Sequence, residues 1–169
     1  MNSACNWDTT VMLITIIVSA FMLFLTGSFF IKFLSYWKLK KLFPALLVLF
    51  FSIISFFSVS ITAFHLPLKI SVSNKQLSIN RLKGNIIIPV ENIKEIKICD
   101  KLDTKNSTRI FGSGGFFGYL GKFKSPKLGN YKMCVTNSSK KVLVKTDHET
   151  FIISCNEPEE LVSYLKTNY

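Results

Sequence analysis

Two long uncharged runs constrain this chain more than any other feature of its sequence. Val11–Ile31 contains 21 consecutive uncharged residues, and Leu42–Phe64 contains another 23. As α-helices rising 1.5 Å per residue, these runs would be roughly 31 and 34 Å long, which matches a hydrocarbon core of about 30 Å. The sequence therefore predicts two membrane-spanning helices, at about residues 11–31 and 42–64.

The first run could also be read as a cleaved signal peptide, but its flanks favour a retained helix. Residues 1–10 contain no Lys or Arg, and Asp8 is their only charge, whereas a secretory signal begins with a positive region. Trp7 precedes the first run, and Tyr36 and Trp37 lie between the runs, where interfacial aromatic residues belong. We therefore expect an integral membrane protein rather than a soluble one with two core helices.

The distribution of cations gives an orientation. The connection between the runs carries four lysines, and the N-terminal flank carries no cation, so the positive-inside rule places the connection in the cytoplasm and both flanking regions outside it. Four cations that follow the second run favour the opposite orientation. The first group is Lys32, Lys38, Lys40 and Lys41, and the second is Lys69, Lys75, Arg81 and Lys83. We expect the region after the helices to be extracytoplasmic.

The sequence changes character at Pro67, which divides a tail and two helices (1–66) from a mainly β domain (67–169). Short β-branched runs alternate with polar residues and are separated by Gly, Asn and Pro. This pattern predicts seven strands, at 69–73, 77–81, 86–88, 92–99, 130–136, 141–146 and 150–154. Asn156 can cap a final amphipathic helix at about 157–167, with acidic residues in its first turn and an apolar stripe.

Cysteine and histidine spacing gives no metal or cofactor site. Three cysteines are spread through the domain with no C-x-x-C pair and no His at a zinc-finger spacing. Cys155 shares the strand phase of Phe151 and Ile153, so we interpret it as a small core residue. No nucleophile elbow, H-E-x-x-H motif or spaced carboxylate pair is present. We therefore predict no catalytic residues, no metal and no cofactor.

The segment from Phe111 to Phe123 is the most unusual part of the domain, with five glycines and five aromatic residues in thirteen positions. It is not a phosphate loop, because Phe123 follows Gly121-Lys122 where a Walker A motif needs Ser or Thr. Glycines permit a bulged, sharply bent strand pair with the aromatic rings as core. Alternatively, exposed rings beside cations form an interaction site. The candidate site comprises Arg109, Phe111, Gly112, Gly114, Gly115, Phe116, Phe117, Gly118, Tyr119, Gly121, Lys122 and Lys124.

The basic balance of the domain favours lipid headgroups over nucleic acid. From Pro67 onward, 17 Lys and Arg face 9 Asp and Glu, a net charge of +8 out of +11 for the chain. Cations held near a bilayer are attracted to anionic lipids by about 1 kcal/mol each. These cations are scattered rather than clustered, and no nucleic-acid-binding motif is present. We expect membrane lipids as partners, with a membrane-protein partner or a second copy of the chain as alternatives.

About seven short strands followed by one amphipathic helix resemble a pleckstrin-homology-like barrel. More specifically, the stretch Arg109–Gly121 resembles the glycine- and aromatic-rich stretch of a bacterial pleckstrin-homology-like family, in which a short membrane-spanning region commonly precedes the domain. The terminal stretch 157–165 fits the helix that plugs such barrels. The resemblance implies interaction rather than catalysis. The phosphoinositide site of eukaryotic relatives does not carry over, because the first turn, Asn74-Lys75-Gln76, has a single Lys.

These observations predict a two-helix transmembrane hairpin followed by a mainly β, pleckstrin-homology-like barrel with a C-terminal capping helix. The predicted function is that of a non-enzymatic interaction or scaffolding protein in a bacterial cell membrane. The alternative is a membrane-bound enzyme or a transporter accessory subunit that acts on a small substrate. Fold analogy alone does not decide between them.

Overall fold

The two uncharged runs form a pair of long helices in the computed structural model, which describes residues 1–168. Helix α1 spans Thr9–Lys38 and helix α2 spans Leu42–Phe64, and the two pack against each other. Both are long and apolar enough to cross a membrane. Only three residues link them, fewer than the ten that the predicted helices at 11–31 and 42–64 leave between them, because the helical backbone continues past the uncharged run through Lys32 to Lys38. The short connection makes the helices antiparallel.

A short N-terminal strand, which the sequence analysis did not predict, ties the start of the chain to the β domain. Strand β1 (Asn2–Ala4) pairs antiparallel with β2 (Pro67–Ser73), and the register places Ser3 opposite Ile70. The backbone N–H of Cys5 extends the pairing by donating to the carbonyl of Leu68 at 3.2 Å. The helix pair is therefore inserted between two strands that are neighbours in one sheet.

The first sheet has four strands in the order β1-β2-β3-β4, with β3 at Gln76–Arg81 and β4 at Ile86–Pro89. Asn74 and Lys75 both have positive φ, 49° and 57°, as a two-residue hairpin turn that follows the strand twist requires. The predicted β2–β3 hairpin is therefore confirmed. A single turn of 3-10 helix at Val90–Asn92 then carries the chain into the second sheet.

The second sheet has six strands in the order β5-β9-β10-β8-β7-β6. All neighbours are antiparallel except β8 and β10, which run parallel. Its strands are β5 (Ile93–Ile98), β6 (Thr108–Gly115), β7 (Gly118–Ser125), β8 (Gly129–Val135), β9 (Lys141–Thr146) and β10 (Thr150–Ser154). Four of them match predicted strands, whereas β6 and β7 arise from the glycine- and aromatic-rich segment.

The main core lies between the two sheets, and helix α3 (Pro158–Asn168) packs against it. Leu161 and Leu165 of α3 are almost fully buried in this cluster, as is Cys155, which confirms its interpretation as a core residue. The expected Asn156 cap is wrong, because α3 begins at Pro158 and the Asn156 side chain instead accepts from the N–H of Asn6 at 3.3 Å. The C-terminal helix itself is confirmed.

The second sheet is also apolar on its other face. On β9, Val142 and Val144 belong to the main core, while Leu143 between them belongs to a second cluster with Phe123 and Ile152. Successive strand residues point to opposite faces, so this second cluster lies behind the sheet. The segment 99–107 is tied to this side by hydrogen bonds, and two of them are Tyr131 Oη to Ser107 Oγ at 2.7 Å and Ser125 Oγ to the Asp103 carbonyl at 3.3 Å.

Candidate functional site: the glycine- and aromatic-rich hairpin

The glycine- and aromatic-rich segment folds as the β6–β7 hairpin, at the edge of the second sheet. Its turn is Phe116-Phe117, and Gly115 pairs with Gly118 at the last position of the ladder. The register shifts between Arg109 and Phe111, which marks a bulge. The prediction of a bulged, bent strand pair is therefore confirmed, although none of its five aromatic rings enters the main core and only Phe123 and Tyr119 pack in the second cluster.

A close approach of the two strands explains why glycines face each other in mid-hairpin. Gly112 lies opposite Gly121, and both have positive φ, 117° and 124°. A Cβ on Gly112 would overlap the carbonyl oxygen of Leu120, and one on Gly121 would overlap that of Phe111. Only glycine fits such a crossing, since any side chain would push the strands apart.

The tip of the hairpin docks on the first turns of α1. The backbone N–H of Phe117 donates to Thr15 Oγ1 at 2.9 Å, and the Phe117 ring meets Trp7 edge-on at 5.9 Å between centroids. Phe117 has a φ of 58°, a left-handed conformation that costs a non-glycine residue roughly 1–2 kcal/mol. Its hydrogen bond and ring contact offset that cost. The docking fixes the position of the hairpin relative to helix α1.

Asp8 holds the same junction from the other side. Its Oδ1 accepts from the N–H of Val11 at 2.7 Å and caps α1, while its Oδ2 accepts from both the N–H and the hydroxyl of Ser138 at 2.7 Å. Its own N–H donates to the Thr136 carbonyl at 3.1 Å. Partial burial raises the pKa of Asp8, but the hydrogen bonds from Ser138 and Val11 outweigh it, so the pKa lies below its ordinary value. The carboxylate therefore links the start of α1 to the β8–β9 turn.

Some of the predicted site residues lie where the hairpin tip contacts α1, and others lie on an exposed surface. Phe116 and Phe117 are half-buried at the junction and contact each other at 4.5 Å between centroids. The exposed ring expected beside the cations is Phe111 rather than either of these. Gly115 lies beside Ile14, and Gly118 is buried against the backbone of Val135. Tyr119 is half-buried against the second cluster. The predicted residues that are exposed are Phe111, Arg109, Gly112, Gly114, Lys122 and Lys124.

Phe111 is the exposed aromatic ring of the site, with 75% of its surface accessible. It pairs with Lys122 across the hairpin, and Lys122 pairs with Lys132 on β8. Directly paired residues share one face of a sheet, so these three side chains form a row. The row continues into the main core at Phe151, the partner of Lys132 on β10. We call the exposed part of this face the basic ledge and define it as Lys122, Lys124 and Lys132.

Lys132 was missed by sequence reasoning, because its place in the row depends on strand pairings that no local pattern reveals. Its Nζ lies 2.6 Å from both carboxylate oxygens of Glu149 and 5.5 Å from the centroid of Phe151. None of the ion pairs within residues 1–168 involves Lys122 or Lys124. The ledge therefore carries a net positive charge beside an exposed ring.

The buried thiols have the chemistry of core side chains. Burial, followed by the proximity of Cys155 and Cys134, raises the pKa of Cys5 to about 12, and burial raises that of Cys134 to about 11. A thiol with such a pKa is protonated at neutral pH and is a poor nucleophile or metal ligand. Within the described part of the chain, no three His, Cys, Asp or Glu side chains are grouped as a metal site requires.

Comparison with known proteins identifies the β domain. A family model described as a bacterial PH domain matches residues 68–168. The matched range begins at β2 and ends with α3, and it includes the β6–β7 hairpin. No curated protein and no solved structure matches the chain.

Proposed function

Because the chain belongs to the bacterial PH domain family, we propose that it is a membrane-anchored, non-enzymatic interaction module. The helices α1 and α2 hold it in the bacterial cell membrane, with the β domain on the extracytoplasmic side. Its ligand is a lipid headgroup or a membrane-protein partner that contacts the surface around Phe111. The positive charge of the domain supports this assignment, since anionic headgroups attract cations held near the bilayer.

The docking of the hairpin tip on α1 is the observation that carries the proposal. The bond between Phe117 and Thr15 fixes the tip beside a helix that is apolar enough to span a membrane. Phe111 lies on the same hairpin and projects most of its ring into solvent. An exposed aromatic ring flanked by cations is the composition found at membrane–water interfaces. The contact with α1 therefore presents Phe111 to the membrane or to a neighbouring protein within it.

A photo-crosslinking amino acid at Phe111 tests the proposal in intact cells. The matched control is the same amino acid at Leu102, which is 66% exposed but lies in the 99–107 segment on the other side of the second sheet. We expect a crosslink to lipid or to one defined protein from position 111 and none from position 102. Capture of a single enzyme or transporter as the sole product would favour an accessory subunit. Equal, diffuse labelling from both positions would refute the interaction surface.

A further inference from the structure

From the placement of the basic ledge we infer a phosphate-binding subsite for an anionic phospholipid, formed by Lys122 and Lys124 with Lys132 as a third cation and Phe111 at its edge. The inference rests on the proposed function and specifies its ligand. The occupant is a lipid of the membrane that α1 and α2 span.

The pairing of two lysines across β7 and β8 is the first argument. Lys122 and Lys132 are direct partners in the ladder, with their Cβ atoms about 4.5–5.5 Å apart as in any antiparallel pair. Like charges directly opposite each other are destabilising in a sheet. Glu149 compensates Lys132, but no ion pair in the described residues compensates Lys122 or Lys124. A bound anion would offset the repulsion between Lys122 and Lys132. This part of the sheet therefore favours a negatively charged ligand.

The depth of the ledge is the second argument. Thr15, which receives the hairpin tip, lies four residues into the first uncharged run, or roughly 6 Å along the helix. Lys122 lies five residues from Phe117, so it is at most about 17 Å further from the membrane than the tip. The ledge is thus no more than about 11 Å outside the start of the apolar run. Headgroup regions are about 5–7 Å thick on each side of a bilayer, and the long lysine stems extend the reach of the ammonium groups to the phosphates.

The surroundings of the ledge are the third argument. Phe111, the cross-strand partner of Lys122, offers an exposed ring at the same depth, where aromatic side chains lie among headgroups and upper acyl chains. The Lys83 N–H bonds to the Phe64 carbonyl at the end of α2 at 3.0 Å, so the β3–β4 turn also lies at the membrane end of the domain.

The test compares two double variants of the full chain with the same change in net charge. Lys122→Gln/Lys124→Gln removes two cations of the ledge, and Lys101→Gln/Lys105→Gln removes two exposed cations of the 99–107 segment. Each protein is extracted in detergent containing equal amounts of phosphatidylglycerol and phosphatidylcholine, and retained lipids are counted by native mass spectrometry. We expect the unmodified chain and the control to retain phosphatidylglycerol in preference to phosphatidylcholine. In the ledge variant, this preference should fall by about fivefold or more.

The outcomes separate this inference from the proposed function. Equal selectivity in both variants, or an equal loss in both, would overturn the subsite, while a crosslink at Phe111 would still support an interaction surface. If the crosslink at Phe111 captured only a protein and phosphatidylglycerol retention did not depend on the ledge, a protein ligand would replace the lipid. Loss of selectivity in the ledge variant alone, with an unchanged melting temperature, supports the inference.

Discussion

Replacement of Asp8 by Ala should weaken the contact between α1 and the β domain and destabilise the chain. The change removes the cap of α1, worth about 1 kcal/mol, and the acceptor of two hydrogen bonds from Ser138, each worth about 0.5–1.5 kcal/mol. The expected loss is therefore about 2–4 kcal/mol, or a fall in melting temperature of at least about 8 °C for a domain of this size. Thermal unfolding of the full chain in detergent, followed by circular dichroism, measures it.

Two further variants make the reasoning refutable. Asp8→Asn keeps a good capping oxygen but loses the charge, so it should cost about half as much as Asp8→Ala. Ser138→Ala should be nearly neutral in the Asp8→Ala background, because its hydroxyl has already lost its acceptor. The lowered pKa of Asp8 means that its stabilisation is present above its ordinary value of about 3.9 and is lost as the pH falls through the lowered value. Equal, small effects of Asp8→Ala and Asp8→Asn would refute the role of this carboxylate.

Three more predictions follow from other parts of the structure. The hydrogen bond from Lys127 lowers the pKa of Asp103, so the stability it contributes should be lost only as the pH falls below about 4, and Asp103→Asn should flatten this acid limb in pH-dependent melting curves. Gly112→Ala should destabilise the domain by about 3 kcal/mol in denaturant titrations, because its Cβ would overlap the opposite strand. Gly129→Ala, at a positive φ with open space around it, should cost only about 1 kcal/mol, and equal costs would contradict the close approach. An exposed cysteine introduced at Ser139 should react with an impermeant maleimide on intact cells if the β domain is extracytoplasmic, and protection until permeabilisation would reverse the orientation.

Local patterns in the sequence were sufficient for most of the fold. The length of the two uncharged runs identified α1 and α2. The alternation of apolar and polar residues identified several strands, and for Lys141–Thr146 it gave both ends correctly. Strand β1 was not predicted, because three residues are too few to show a periodic pattern and because its partner β2 lies about 65 residues away in the sequence. Strands β6 and β7 were not predicted, because glycines interrupt the alternation of apolar and polar residues where the two strands approach closely.

The candidate site was predictable only in part, for a related reason. Composition drew attention to the right segment, but it could not say which rings are exposed. Phe117 bonds to Thr15 of α1, a contact between residues about 100 positions apart, and Phe116 packs against the Phe117 ring, whereas Phe111 is exposed on the edge strand. The pairing of Lys122 with Lys132 likewise depends on register, which is set by the whole sheet.

The insertion of both helices between β1 and β2 also bears on biosynthesis. When residues 2–4 leave the ribosome, their partner strand is still about 65 residues from being made, a delay of about 3–13 s at ordinary translation rates. Both apolar helices are synthesised during that interval. Strand β1 can pair with β2 only when α2 has returned the chain to the side of the bilayer on which β1 lies. With α1 and α2 spanning the membrane as we propose, this sheet closes only after both crossings are complete, and a chain with a single crossing would leave the edge of β2 open to aggregation.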